Sequence, residues 1–220
     1  MSFSTEWEAQ FAAGRHLSQW PWSDLVSLCM RHRHALPDHA RVLELGCGVG
    51  ANIPFFLQQG WRYCAAEGSA SAAQRVLAMY PELAGKVRVA DFTVDLPFDG
   101  LFDLVVDRAA LTHNRERDIR RALARVGESL APGGLYVGVD WFSTAHGDYA
   151  EGEPGEDVWT RGGYRDGPFA GVGRVHFSDA DHLRDLFAGW EWLTLEEKKI
   201  ARHMPEQRML AMWSFVVRKP

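Results

Sequence analysis

The chain has 220 residues, 46% apolar and 24% charged, ordinary usage for a globular protein that can bury a core without staples. Its 24 lysines and arginines against 29 acidic residues give a formal charge of −5, which argues against a protein that grips nucleic acid through its phosphates. No run of about 18 apolar residues offers a membrane span, and three scattered cysteines, Cys29, Cys47 and Cys64, exclude a disulfide framework or a zinc knuckle.

Taken in chain order, Met1–Phe11 carries Glu6 and Glu8 and no apolar run, so no secretory leader is expected and the cytoplasm is the expected location. Trp7–Arg33 reads as helix interrupted by Trp20-Pro21-Trp22. Arg41–Leu45, Trp61–Ala66, Lys86–Ala90, Phe102–Asp107 and Leu135–Trp141 are short, nearly apolar runs, as strands covered on both faces would be. Between them Ile53–Gln59, Ser69–Met79 and Arg117–Leu130 read as helices. The last has Ile119, Leu123, Val126 and Leu130 at helical spacing and stops at Ala131-Pro132-Gly133-Gly134. Strands alternating with helices predict right-handed βαβ units and a parallel sheet. Ser143–His176, with eight glycines in 34 residues and no clear periodicity, reads as a long lid, binding loop or insertion. Ser178-Asp179 can cap a helix running to Phe187, and Trp192–Ile200 with Met209–Val217 reads as a hairpin around Met204-Pro205-Glu206. One domain is expected: a helical cap over 1–40, a sheet core over 41–142, the insertion over 143–176, and a helix with hairpin over 177–220.

The sharpest local signal is Val42-Leu43-Glu44-Leu45-Gly46-Cys47-Gly48-Val49-Gly50-Ala51-Asn52, a strand entering a glycine-rich turn and then a helix. Glycines there allow positive φ and close approach of the backbone to a ligand. Gly46-x-Gly48-x-x-Ala51 also satisfies the loose dinucleotide pattern. Charge separates the two readings. A pyrophosphate would lie beside Glu44, yet no lysine or arginine occurs from Val42 through Trp61 to offset that carboxylate. A ligand bearing ammonium and sulfonium groups suits it better. Glu67, 19 residues after Gly48 and directly after the second strand, is placed to receive a ribose diol of either cofactor type.

These residues resemble the first motif of class I S-adenosylmethionine-dependent methyltransferases, an acidic residue followed by Gly-x-Gly-x-Gly. The resemblance continues in order through Glu67, through Asp91-Phe92 after the third strand, through Phe102–Arg108 as the fourth, and through Leu130-Ala131-Pro132-Gly133-Gly134-Leu135 leading into the fifth. It implies an α/β, Rossmann-like, doubly wound sheet of seven strands, mostly parallel, with the last strand antiparallel. It further implies S-adenosylmethionine as cofactor and S-adenosylhomocysteine as product. Contacts would come from Glu44, Gly46, Cys47, Gly48, Gly50 and Asn52 in the loop, Glu67, Gly68 and Ser69 at the ribose, Asp91 and Phe92 at the adenine, and Asp107 and Arg108 at the methionine end. Trp20 and Trp22 would cap the pocket, although as aromatic residues near a helix they could equally be core.

On the acceptor side, His113 follows the fourth strand where the resemblance puts an active-site loop, so its imidazole is the candidate base; a plain loop histidine is the competing reading. Arg108, Tyr149 and His176 are candidate acceptor contacts. Cys47 needs no nucleophilic role, because attack on a sulfonium methyl uses none. His32 and His34, two apart, share no helix face, so no metal is expected. The expected partner is a small-molecule acceptor, with neither nucleic acid nor membrane, and the chain itself a monomer or homodimer. The competing functions are a nicotinamide-dependent oxidoreductase and a non-catalytic cofactor-binding regulator.

Overall fold

A computed structural model describes residues 5–220; Met1–Ser4, the start of the expected cap, lie outside the described residues. Five strands follow the alternating apolar runs: β1 (Arg41–Leu45), β2 (Arg62–Glu67), β3 (Val87–Val89), β4 (Phe102–Arg108) and β5 (Leu130–Phe142). Two long antiparallel strands, β9 (Glu191–Arg202) and β10 (Arg208–Arg218), complete a seven-stranded sheet in the order β3-β2-β1-β4-β5-β10-β9. Strands β1 to β5 pair in parallel, and β10 runs antiparallel to both of its neighbours, β5 and β9.

Side chains alternate across the sheet because successive strand residues point to opposite faces. Val42, Leu104, Val106 and Val137 meet helices α2 (Ser23–Arg31), α3 (Ile53–Gln58) and α4 (Ala70–Met79) through Leu28, Phe56 and Val76. Leu43, Leu45, Val105 and Tyr136 meet α5 (Glu116–Ser129) and α7 (Ala180–Leu186) through Ile119, Leu123 and Leu183 on the other face. Both faces are therefore covered, which is why the strands read as continuous apolar runs. Asp179 caps α7 as expected, its carboxylate accepting from the His182 backbone N–H at 2.8 Å.

Three expectations need correction. The fifth strand begins at Leu130 and not Leu135, because its register against β4 jumps from Phe102↔Leu130 to Leu104↔Leu135. Ala131–Gly134 is thus a bulge inside the strand, turned by Gly133 at φ +75. The N-terminal break is wider than Trp20-Pro21-Trp22: residues 13–22 separate helix α1 (Thr5–Ala12) from α2, and that stretch is irregular. Finally, the 143–176 segment is no bare loop. It holds a short helix, α6 (Asp148–Glu151), and a small sheet of β6 (Glu153–Pro154), β7 (Thr160–Gly162) and β8 (Val175–His176). Phe169, Val172, Val175 and Phe177 form a core of its own, with Phe169 edge-on to Phe142 of β5 at 4.7 Å. Strands of two or three residues are too short to show a period.

Candidate functional site

Strand order reverses between β1 and β4, and ligands of open parallel sheets sit beyond the strand carboxyl ends at such a point. A cavity of about 390 Å³ lies there, within the usual range for small-molecule sites. The glycine loop forms its floor. Gly46 has φ +66, and a Cβ on it would run into Ala110 Cβ, so the loop can pass the end of β4 only without a side chain. The Gly46 N–H donates to Ala66 O at 2.8 Å, which pins the turn to β2.

Two buried carboxylates flank the floor. Glu67, at the end of β2, accepts from the Gly48 N–H at 2.7 Å and from the Ser69 N–H at 2.8 Å. Burial raises its pKa while those backbone donors oppose the rise. Glu44 is 2% exposed and accepts from Asn52 Nδ2 at 2.8 Å and the Tyr63 hydroxyl at 2.5 Å. Burial pushes its pKa to about 7 against the help of those two bonds, with Glu67 and Asp107 adding to the rise. Asp91 and Phe92, beyond β3, complete that side of the lining. The Asp91 carboxylate accepts from the Thr93 N–H at 3.0 Å.

The opposite wall comes from outside the sheet. Trp7 and Phe11 of α1, His16, Leu17 and Ser18 of the irregular segment, and Trp22 all line the cavity. Glu8 fastens α1 to the N-terminus of α4 by accepting from Ser69 Oγ at 2.5 Å and from Ser71 Oγ. Gln10 Nε2 donates to Gly171 O at 2.9 Å, tying α1 to the insert. Trp22 is held to the glycine loop, its backbone N–H donating to Asn52 Oδ1 at 3.1 Å.

The far end holds His113, on the 3-10 turn Leu111–His113. Its Nδ1 lies 3.1 Å from Arg174 O. A carbonyl can only accept, so Nδ1 carries the hydrogen and Nε2 is left as the basic atom. The ring stands edge-on to Trp7 at 4.8 Å. Burial drives its pKa down to about 4, so the imidazole is neutral at neutral pH. Arg108 ends β4 with its guanidinium 3.4 Å from the Trp22 ring centroid and its Nη2 2.7 Å from Asp140.

The structure thus gathers Trp22, Glu44, Gly46, Cys47, Gly48, Asn52, Glu67, Gly68, Asp91, Phe92, Arg108 and His113 around one space. The remaining expected site residues do not line it. Gly50 packs on Ile53 and Val76. Ser69 is buried as the cap of α4, accepting from the Ala72 N–H at 3.1 Å. Asp107, also buried, accepts from Ala110 N, Leu111 N, Tyr136 Oη and Trp141 Nε1, and so braces the turn that carries His113. Trp20 is 78% exposed. The Tyr149 hydroxyl donates to Val158 O at 3.2 Å within the insert, and His176 faces His182 of α7 with their Nε2 atoms 3.1 Å apart. Phe11, His16, Leu17 and Ser18 line the cavity without having been foreseen. They arrive through long-range packing, for which the sequence carries no local pattern.

The family described as "Methyltransferase domain" matches residues 6–213. No curated protein matches the chain. Among solved structures, a SAM-dependent methyltransferase from Methanosarcina mazei superposes with a TM-score of 0.67 at 16% identity, over 85% of this chain and 95% of that one. A Burkholderia thailandensis 1,6-didemethyltoxoflavin-N1-methyltransferase, solved with that compound and S-adenosylhomocysteine, gives 0.66 at 17% identity, over 98% of this chain and 86% of that one. At such identities the likeness establishes the fold.

Proposed function

The chain belongs to the methyltransferase-domain family, and from that premise we propose that it methylates an oxygen or nitrogen of a small-molecule acceptor. S-adenosylmethionine is the methyl donor, and its sulfonium supplies a methyl group open to in-line displacement. The cavity fits such a group on its own evidence: a floor that only glycine permits at Gly46, two buried carboxylates and no cation in the loop. Glu67 would receive the ribose diol, Asp91 and Phe92 the adenine, and Glu44 the ammonium. None of these side chains does covalent chemistry. Their work is to hold and orient, which can supply much of the rate when the leaving group is good.

His113 would take the proton from the acceptor atom at Nε2, the nitrogen its bond to Arg174 O leaves free. Trp7, Phe11 and Leu17 exclude water around it. The 1–40 segment lines the cavity through Trp7, Phe11, His16, Leu17, Ser18 and Trp22, while the 143–176 segment contributes no lining residue and supports that wall through Gly171 O and Arg174 O. We take the 1–40 segment as the part that chooses the acceptor on the 41–142 core. The 1,6-didemethyltoxoflavin-N1-methyltransferase was solved with 1,6-didemethyltoxoflavin bound, and an aromatic-walled space suits a compact acceptor.

The observation that carries the reading is a single cavity joining the acid-flanked glycine loop to a neutral, oriented histidine. Calorimetry with S-adenosylhomocysteine and with NAD tests the first half. Heat with the former alone supports it, and heat with NAD alone returns the oxidoreductase. Transfer of labelled methyl groups to a metabolite extract tests the second half. Binding without any transfer makes the protein a cofactor-binding regulator instead.

A further inference from the structure

An acceptor can be recognised only by polar groups of the cavity that the cofactor leaves unused. On the reading above, Glu44, Glu67 and Asp91 are taken up by the ammonium, the ribose and the adenine. Asn52 is saturated, its Nδ2 donating to Glu44 and its Oδ1 accepting from the Trp22 N–H. Arg108 is held by Asp140 and the Trp22 ring. Asn114, the second asparagine of the lining, is only half used.

Asn114 follows His113 directly and is 4% exposed. Its Nδ2 lies 3.3 Å from Ala110 O and 3.2 Å from Leu111 O. Carbonyl oxygens only accept, so the nitrogen must be the atom that faces them, and the amide cannot be turned over. Its backbone N–H also donates to Leu111 O, at 3.0 Å. Main chain and side chain together therefore lock the residue onto the turn that carries His113.

The consequence falls on the other half of the amide. Oδ1 meets no donor among the described residues, yet it is not one of the atoms that the protein encloses. The open space beside this nearly covered residue is the cavity. An oxygen in that position is satisfied by water while the site is empty. A bound molecule that displaces the water without supplying a donor leaves it unpaired, at a cost. Sites built around such a group discriminate strongly against analogues that lack the matching N–H or O–H. His113 offers the same kind of group one residue earlier, because its Nδ1 is spent on Arg174 O and its Nε2 can only accept.

We infer that Asn114 Oδ1 is a specificity contact for the acceptor. Two fixed hydrogen-bond acceptors on consecutive residues, neither able to donate, select a small molecule with two O–H or N–H groups. One of these is methylated and gives its proton to His113. The other is held by Asn114 and takes no part in the transfer. The inference rests on the methyltransferase reading with His113 as base. It narrows the acceptor class to compounds with a second donor near the reacting one.

Calorimetry on the intact protein, saturated with S-adenosylhomocysteine, tests it with catechol and resorcinol against phenol. The two diols carry their O–H groups at different separations, and phenol has one group only. Wild type should bind one diol about ten-fold or more tighter than phenol. Asn114→Leu, shown to be folded by thermal unfolding, should bring that diol to within about two-fold of phenol. Its affinity for S-adenosylhomocysteine should stay within about two-fold of wild type. Asn114→Ser, too short to reach the same point, replaces it if the leucine variant does not fold, and the wild-type comparison needs no variant. Three results overturn the inference: no preference for either diol, including diols that never bind; a preference that survives in the variant; or a ten-fold loss of S-adenosylhomocysteine affinity, which would place Oδ1 against the cofactor. If wild type does not bind S-adenosylhomocysteine, it is the methyltransferase reading that has failed.

Discussion

Replacing Gly46 by alanine tests the geometry that everything else in the site depends on. Two separate penalties apply. The residue sits at φ +66, a region that costs an L-residue roughly 1–2 kcal/mol. Its new Cβ would also come well inside 3.0 Å of Ala110 Cβ, an approach real Cβ atoms essentially never show; carbons in contact want about 3.5–4.0 Å. Neither side yields easily. Gly46 is pinned by its N–H to Ala66 O at 2.8 Å, and Ala110 by its N–H to Asp107 Oδ1 at 2.9 Å. Overpacking of this kind costs typically about 1–3 kcal/mol, so the sum is roughly 2–5 kcal/mol. Urea unfolding of Gly46→Ala, Ala110→Gly and the double variant measures it. The double variant should recover the overpacking part, leaving a coupling energy of about 1–3 kcal/mol, while affinity for S-adenosylhomocysteine stays reduced. Gly46→Ala within about 0.5 kcal/mol of wild type, or a coupling energy of zero, would refute the packing argument.

Glu67→Ala should weaken S-adenosylhomocysteine binding by about ten-fold or more in calorimetry, because a buried diol would lose its charged acceptor and the Gly48 and Ser69 amides lose theirs. His113→Gln should reduce turnover yet leave that affinity within about two-fold of wild type; unchanged turnover removes His113 as the base. Since its pKa is held near 4, the acid limb of the wild-type rate should fall near pH 4 and not near pH 6.5. The same depression means that the unfolded chain takes up this proton first, so the stability contributed by neutral His113 is lost as pH falls from about 6.5 to 4. Glu44 has the opposite sign. Raised from 4.5 to about 7, it favours the folded state at low pH and loses that contribution as pH climbs through this interval. Glu44→Gln should therefore gain on wild type between pH 5 and 8, by roughly 3 kcal/mol at most, as read by urea unfolding at both values.

How much of this was legible depends on the range of the forces involved. The first five strands and the two helices that follow Ser69 and Arg115 are written in local apolar periodicity, so their type was readable and only their ends moved. The glycine-loop side of the cavity was equally readable, since Glu44, Gly46 and Glu67 sit at strand ends and backbone turns that short motifs encode. Asp107 shows the limit. Its place at a strand end suggested a ligand contact, but Tyr136 and Trp141 from β5 satisfy its carboxylate from the opposite face. Strand parity alone separates those faces, and a one-residue difference decides the role. Phe11, His16 and Leu17 meet the site across a turn with no periodic signature. His176, in a glycine-rich stretch, reads as a candidate acceptor contact, yet the small core of the insert buries it against α7.

The position of β10 also bears on how the protein is made. It follows β9 in the chain but lies inside it in the sheet, joining β5 to β9. Until Arg208–Arg218 leaves the ribosome, β5 is an open edge and the Tyr136–Trp141–Phe187 layer has no Phe215 to close it. An uncovered edge of this length invites pairing with the wrong strand. The segment that closes the sheet is thus made after every other strand, and a stall or cut between β9 and β10 would release a fragment with β5 uncovered that already carries the complete glycine loop.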